Sequence, residues 1–335
     1  MIRRIALVAA APVAAIGAAF AALVVSGPVA DRLARKLMAA PRRLPGEAGL
    51  ATAIDALGGE VVALRARDGV QLAGRWLPGD TSRVADGWVP DPYEAILLLH
   101  GWNGSVAPDL VEYGPFLRSI AGVLALDFRG HGASGDGPTT FGLLEVEDVA
   151  GALAWLGVRG IRRVALVGSS MGGITALAAL GVLGDGRLTA ADADAAAPAA
   201  QVEAPRPRIT AVVADAVAPR LVVAVGSRIS LRAGGLIAAR AFSRFPKLVG
   251  GDPRATEPMA VIGLVEDVPV LLVHGDADDV VPLAEGQQLA DAAPAGVRHL
   301  VITGAAHGKS HTVDPAAWEA AAAEVLKSGF TAARG

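Results

Sequence analysis

The sequence predicts an α/β fold, in which a doubly wound, mostly parallel sheet of eight strands carries a small helical cap. Three observations support this prediction. Six short, near-continuous apolar runs alternate with helix-compatible segments, as in parallel strands that are covered on both faces. Two further strand-like runs precede them around an Asp-Gly turn. One unusually long interval between strands leaves room for a cap.

An apolar segment comes before the predicted sheet. After two arginines, residues 5–25 form one apolar run that would span about 31 Å as a helix, the thickness of a bilayer core. This pattern predicts a membrane anchor over 1–30 and a linker over 31–59, with the protein held at the cell membrane. A cleaved secretory signal peptide is the alternative, which would make the protein secreted, and a buried core helix is a third possibility.

The predicted catalytic domain spans residues 60–330 and contains the sheet. Its strands, in chain order, are 60–66, 70–77, 95–100, 123–127, 164–168, 209–214, 270–274 and 297–302. The first two flank Asp68 and Gly69, so we expect them to pair as a hairpin. The later six are expected to be parallel, because helix-compatible segments separate most of them. Those segments are 111–121, 144–156, 171–183, 283–292 and 315–327.

Two stretches interrupt the alternation of strands and helices. Residues 184–208 are rich in alanine and aspartate, and we expect them to form a flexible insertion. Residues 219–265 separate two strands by far more than a short connection needs. Because Phe242 and Phe245 lie there in a helix-compatible segment, we expect 219–265 to form the small cap over the sheet.

Composition and charge exclude several classes of protein. Of the 335 residues, 53% are hydrophobic and 19% are charged, which argues against a disordered chain. The 30 lysines and arginines are balanced by 33 acidic residues, so no electrostatic footprint for nucleic acid is present. The chain has no cysteine, which excludes disulfides, cysteine-ligated metal sites and thiol catalysis.

One pentapeptide carries the strongest chemical signal. Residues 168–172 read G-S-S-M-G and match the pattern G-x-S-x-G. A predicted strand precedes the motif and an alanine-rich helix follows it, which is the context of a nucleophile elbow. The turn would present the Ser170 hydroxyl at the start of a helix, where the helix dipole favours developing negative charge. Ser170 is therefore the candidate nucleophile.

A serine hydroxyl needs a base to remove its proton and an acid to orient that base. His307 directly follows the last predicted strand, at the edge of the sheet where ligand-facing groups gather, and His311 is the alternative base. Asp278 lies in an acidic stretch after the seventh strand and is the candidate acid, with Asp276 and Asp279 as alternatives. Together with the candidate nucleophile, His307 and Asp278 would complete a catalytic triad.

Acyl transfer also requires two N–H donors for the oxyanion. The backbone N–H of Met171 follows the nucleophile directly and would supply one donor. Trp102, in the loop after the third strand, would supply the other, and Gly101 would let the main chain approach the substrate. The alternative is an ordinary turn with a packing tryptophan. This chemistry needs neither cofactor nor metal, and its expected partner is a small-molecule acyl ester.

Five blocks in the chain together resemble the α/β-hydrolase superfamily. They are 100–101, 127–134, 168–173, 274–282 and 304–307. The resemblance covers about residues 60–330, and it agrees with the serine–aspartate–histidine order of the candidate triad. In that superfamily the block that reads DFRGHGAS here is mainly structural. The stretch 139–142 with Glu145 and Asp148, together with the earlier Asp68-Gly69, is further similar to membrane-anchored α/β-hydrolase-domain proteins and serine aminopeptidase-like hydrolases.

The resemblance implies a serine hydrolase that is esterase- or lipase-like. We expect it to cleave a carboxylic ester or thioester through an acyl-enzyme on Ser170. A peptidase or amidase that uses the same triad is one alternative, and a non-catalytic binding protein on the same fold is another.

Overall fold

In the computed structural model, the described residues are 27–39, 50–83, 87–102, 104–183, 206–227, 234–265 and 267–334. The apolar run 5–25, predicted to be a membrane anchor, lies outside them, as does most of the predicted insertion 184–208. Within the described ranges, no helix has both the length and the apolar character that crossing a bilayer would require.

A single sheet of eight strands forms the centre of the described structure. The strands are β1 Glu60–Arg65, β2 Gln71–Leu77, β3 Glu94–Leu99, β4 Gly122–Leu126, β5 Arg163–Ser169, β6 Arg208–Asp215, β7 Val270–Gly275 and β8 Val297–Ile302. Their spatial order is β1-β2-β4-β3-β5-β6-β7-β8. Strand β2 is antiparallel to both of its neighbours, and every other adjacent pair is parallel. This arrangement confirms the predicted fold class.

The central strands are apolar along their whole length because both faces of the sheet are covered. All six residues of β3 are buried. Its successive side chains alternate between two hydrophobic cores, because neighbouring residues of a strand point to opposite faces. Leu97 and Leu99 lie in one core, whereas Ile96 and Leu98 lie in the other.

Helices cover both faces of the sheet. In chain order they are α1 Gly27–Met38, α2 Ala51–Leu57, α3 Ala107–Leu117, α4 Glu145–Val158, α5 Met171–Leu183, α6 Leu221–Gly226, α7 Gly234–Phe242, α8 Phe245–Val249, α9 Pro258–Val261, α10 Leu283–Asp291, α11 Ser310–Val313 and α12 Pro315–Ala332. Helix α3 begins four residues before the predicted segment 111–121. The first N–H groups of a helix have no partner within the helix, so Pro108, which has no N–H, suits this position. Asp109 complements the helix dipole in the same turn.

The predicted cap, 219–265, contains the short helices α6 to α9. Phe242 and Phe245 are buried there with ring centroids 5.0 Å apart. Helix α1 begins within the last four residues of the predicted anchor, 1–30, and with α2 occupies part of the stretch expected to be a linker. Helix α1 packs against α7. One face of α1 is buried, since Ala30 and Ala34 are almost fully covered. The cap region therefore packs against a helix from the start of the described chain.

Candidate active site

Ser170 lies in the sharp turn between β5 and α5. Its φ of +53° is in the left-handed region, which residues other than glycine rarely adopt. The backbone N–H of Ser170 donates to the carbonyl of Asp215 at 2.8 Å, and its own carbonyl accepts from the N–H of Ile174 at 2.9 Å. Both backbone groups of Ser170 are therefore held in the geometry of a nucleophile elbow.

The glycines beside Ser170 allow close approach of the main chain. A Cβ atom on Gly172 would overlap the carbonyl of Leu99, and one on Gly168 would overlap the backbone of Gly172. The elbow therefore packs directly against the end of β3. This packing places the loop after β3 next to the nucleophile, because a Cβ atom on Gly101 would lie only 3.6 Å from the Cβ of Ser170.

Three residues from three separate loops form one hydrogen-bonded chain. The Nε2 atom of His307 lies 2.9 Å from the Oγ of Ser170, and its Nδ1 lies 2.7 Å from the Oδ2 of Asp278. When Nδ1 carries its proton toward the carboxylate, Nε2 is left to accept the proton of the hydroxyl. The structure thus brings together the predicted nucleophile, base and acid.

The environment of Asp278 keeps its carboxylate ionised. The side chain is fully buried, and its Oδ1 accepts the N–H groups of Val280 at 2.9 Å and Val281 at 2.8 Å. Burial raises the pKa of Asp278, but hydrogen bonds from His307 and from these two N–H groups outweigh burial and hold the pKa below its usual value. An ionised Asp278 can stabilise a positive charge on the imidazole.

The alternative base and acids have other partners. His311 lies between two carboxylates, 3.3 Å from Glu112 through Nδ1 and 3.1 Å from Glu319 through Nε2. Asp276 accepts the N–H of Gly304 at 2.6 Å, and Asp279 is exposed. In the part of the chain that the structure describes, His307 has the position that a base for Ser170 requires.

The two predicted oxyanion donors flank Ser170. Met171 is the first residue of α5 and is buried. Trp102 follows Gly101 and is half-buried, with its ring centroid 5.4 Å from that of Phe141. This placement is compatible with donation by both residues, and their roles as donors stay a prediction.

His100 supports the loop after β3, although the sequence analysis gave it no separate role. Its Nδ1–H donates to the carbonyl of Gly101 at 2.7 Å, and its Nε2 accepts the N–H of Phe128 at 3.0 Å. Burial, together with the neighbouring His131, lowers the pKa of His100 to about 3, so the ring is neutral and can both donate and accept. A histidine directly before Gly101 at the end of an apolar strand was the available sequence signal.

Asp215 is a second supporting residue that the sequence analysis missed. Its buried carboxylate accepts from the Ser310 hydroxyl at 2.8 Å and from the indole N–H of Trp318 at 3.2 Å. Burial raises the pKa of Asp215 to about 6. Because Ser310 is three residues after His307, these contacts tie the histidine loop to the strand whose carbonyl holds Ser170. An aspartate that ends an apolar run was the available signal.

No cluster of three or more metal-ligating side chains lies within the described ranges. The Asp-rich stretch after β7 is instead divided, with one carboxylate buried against His307 and the others at the surface.

Comparisons with known proteins agree with this fold. The model of the "Alpha/beta hydrolase family" matches residues 96–322. An esterase of Pyrococcus furiosus is 23% identical with a TM-score of 0.56, covering 86% of this chain and 99% of its own. An alpha-beta hydrolase of Vibrio vulnificus is 19% identical with a TM-score of 0.59, covering 89% and 94%. An esterase of Rhodococcus is 20% identical with a TM-score of 0.50, covering 80% and 99%. The chain matches no curated protein sequence.

Proposed function

Because the chain belongs to the alpha/beta hydrolase family, we propose that it is a serine hydrolase that cleaves a carboxylic ester through an acyl-enzyme on Ser170. The observation that carries the proposal is the hydrogen-bonded chain from the Ser170 hydroxyl through His307 to Asp278. Such a chain couples a nucleophile to a base and the base to an ionised acid. A thioester would react in the same way.

The reaction would proceed in two halves. In the first, Ser170 attacks the carbonyl carbon while His307 Nε2 takes its proton and then passes it to the leaving alcohol. In the second, His307 removes a proton from the water that attacks the acyl-enzyme, and returns it to the Ser170 oxygen as the bond to the acyl group breaks and the acid leaves. Asp278 would orient His307 and stabilise its cationic form throughout. No bound cofactor is needed for either half.

The negative charge on the substrate oxygen would be stabilised by two backbone N–H groups. Met171 lies at the start of α5, where the helix dipole and unbonded N–H groups favour an anion. Trp102 would provide the second donor from a loop that His100 holds through Gly101. Removing one such donor in an oxyanion hole typically slows the reaction by about 10²–10³-fold.

An ester is the favoured substrate class over an amide. Solved structures with the same fold include proteins described as esterases, from Pyrococcus furiosus and Rhodococcus. A peptidase or amidase would use the same three residues, so turnover of matched substrates must separate the two activities.

We further propose that residues 1–30 anchor the enzyme in the membrane, ahead of a catalytic domain over 60–330 with a cap over 219–265. The support is the uncharged apolar run 5–25, which is long enough to span a bilayer. Deletion of residues 1–26, which removes the apolar run and leaves α1 in place, would then give a soluble and active enzyme. An aggregated, inactive product would instead indicate that this stretch belongs to the fold.

The test of the hydrolase proposal is covalent labelling of the full chain with a fluorophosphonate, followed by mass mapping. We expect the adduct on Ser170. Ser170→Ala should lose the adduct and lower hydrolysis of a p-nitrophenyl ester by at least about 10³-fold. Ser169→Ala is the matched control, because it removes the neighbouring hydroxyl of the same motif and should retain labelling.

Three outcomes would contradict this proposal. Folded protein that takes no label on Ser170 would favour a binding protein on the same fold. Unchanged ester hydrolysis in Ser170→Ala would show that another group is the nucleophile. Faster cleavage of a p-nitroanilide than of the matched ester would favour the peptidase or amidase alternative.

A further inference from the structure

Positive charge is concentrated in the cap region and in α1. The whole chain has a net charge of −3, yet the predicted cap, 219–265, contains seven arginines and lysines and only two acidic residues. Helix α1 adds Arg32, Arg35 and Lys36 against one acid, Asp31. These two segments are far apart in sequence, but α1 packs against α7 in the fold. Among the described residues, the cations near this contact, such as Arg35, Arg244 and Lys247, therefore lie in one region of the molecule.

Asp31 shows how closely these charges converge. Its carboxylate accepts a hydrogen bond from the Arg244 guanidinium. That hydrogen bond, opposed by partial burial and aided by the charges of Arg244, Arg35 and Lys247, lowers the pKa of Asp31. One carboxylate thus faces three cations from two separate segments and can neutralise only one of them.

Other cations of these two segments are exposed, and so is one leucine. On α1, Arg32, Arg35 and Lys36 are exposed opposite its buried face. In the cap, Lys247 is exposed, and Leu236 on α7 is 77% exposed. We call these five residues the cap face. A mixture of exposed lysine, arginine and leucine on adjoining helices is typical of surfaces that rest on a lipid bilayer.

We propose that the cap face docks on a bilayer that contains anionic phospholipids. Charge complementarity favours this partner, because cations near a membrane surface are attracted to anionic headgroups and an exposed leucine can enter the boundary with the acyl chains. The position of α1 favours it as well. The helix begins at Gly27, two positions after the apolar run 5–25 ends, so insertion of that run would bring α1 to the membrane surface.

Docking through the cap face would orient the candidate active site toward the lipid. The ring of Phe242 in α7 lies 5.8 Å from that of Phe141, which in turn lies 5.4 Å from that of Trp102 beside Ser170. Helix α7, which carries part of the cap face, is thus linked through Phe141 to the loop beside Ser170. If the proposed function holds, on which this step rests, the substrate is an acyl ester dissolved in the membrane.

The absence of cysteine permits a direct test with the full chain. A single cysteine replaces Leu236 in the cap face and is labelled with an environment-sensitive fluorophore. The matched control replaces Val158, which is 63% exposed at the end of α4, near the amino end of β5. Each protein is reconstituted into vesicles of phosphatidylcholine, alone or mixed with phosphatidylglycerol, and titrated with lipid-borne quencher and salt.

We expect blue-shifted, quenchable emission from the label at position 236 on the anionic vesicles only, and reversal of that shift by high salt. The label at position 158 should respond to neither lipid. Lys36→Glu combined with Lys247→Glu should abolish the shift. Arg208→Glu combined with Arg298→Glu, at the amino ends of β6 and β8, should preserve it.

Two results would overturn the proposal. One is a label at position 236 that stays as exposed to water on anionic vesicles as the label at 158. The other is an equal, salt-resistant shift on neutral and anionic vesicles, which would mean that the apolar run alone holds the protein at the membrane. Fluorescence needs no turnover, so failure here is distinct from failure of the hydrolase proposal.

Discussion

The turn after β4 and the loops after β7 and β8 both bury charged side chains at the same end of the sheet. After β4, the Arg129 guanidinium donates to Asp148 at 2.7 and 2.9 Å and to Asp68 at 2.7 and 2.9 Å. After β7 and β8, Asp278 and His307 form a chain that ends on the Ser170 hydroxyl. In the first network, carboxylates accept the hydrogen bonds of Arg129, whose guanidinium does not lose its proton. The second network contains His307, whose imidazole can accept a proton and pass it on.

Buried charge alone therefore does not identify a reactive site. Arg129 is only 1% exposed, yet two carboxylates occupy its hydrogen-bonding fork. In the other network, the His307 side chain is 14% exposed while that of Asp278 is fully covered. The histidine is therefore accessible, whereas the carboxylate that orients it is held in place. The arginine network therefore stabilises the turn, and the histidine network is suited to chemistry.

Asp278→Asn should give the largest effect, on activity. Asparagine keeps the shape but removes the charge that fixes the tautomer of His307, so we expect ester turnover to fall by about 10³–10⁴-fold. Steady-state kinetics with a p-nitrophenyl ester measure the loss. Asp279→Asn, one residue away and exposed, is the control and should keep wild-type rates. A loss of less than tenfold in Asp278→Asn would remove Asp278 from the triad.

Arg129→Leu should give the next largest effect, on stability rather than on chemistry. The substitution leaves Asp148 buried without its cation, so we expect the free energy of unfolding to fall by about 3–5 kcal/mol. Urea denaturation measures the change. Arg129→Leu combined with Asp148→Leu should recover part of it, because no unpaired buried charge then remains. A single substitution that costs under about 1 kcal/mol would show that the network is not structural.

His311→Gln should give the smallest effect, and one that depends on pH. Burial lowers the pKa of His311, but hydrogen bonds and charges from Glu112 and Glu319 outweigh it and raise that pKa. The resulting stabilisation is complete below the unfolded pKa of about 6.5 and is lost as pH rises through the higher folded value. The variant should therefore be about 1–2 kcal/mol less stable than wild type at pH 6, with a smaller difference at pH 9. Thermal denaturation across this range checks the trend, and a constant difference would contradict it.

The strands and the elbow were predictable because each depends on neighbouring residues. The apolar run 297–302 coincides with β8 as observed. Ser170 was evident from a motif with glycine at fixed positions between a strand and a helix. Backbone sterics and strand burial leave such marks in a few consecutive residues, so no knowledge of distant contacts was needed.

The contacts of His311 and Asp215 could not be predicted in this way. Glu112 is 199 residues from His311, and Trp318 is 103 residues from Asp215. Periodicity reports which face of an element is buried, but it does not report which distant side chain meets that face. Helix α1 was missed for a related reason: it lies across the predicted boundary between the anchor, 1–30, and the linker, 31–59, although Ala30 and Ala34 recur at the spacing of a buried helix face.

Ser170 and the glycines around it differ in which substitutions the structure can accept. Any side chain at Gly168 or Gly172 would collide with main-chain atoms, so the fold does not accept substitutions at these two positions. The Ser170 side chain instead reaches out to His307, and its replacement need not move a backbone atom. A single codon change at position 170 can therefore exchange the nucleophile on an unaltered turn. Descendants of this chain would be expected to diverge in the reaction they catalyse before they diverge in the shape of the elbow.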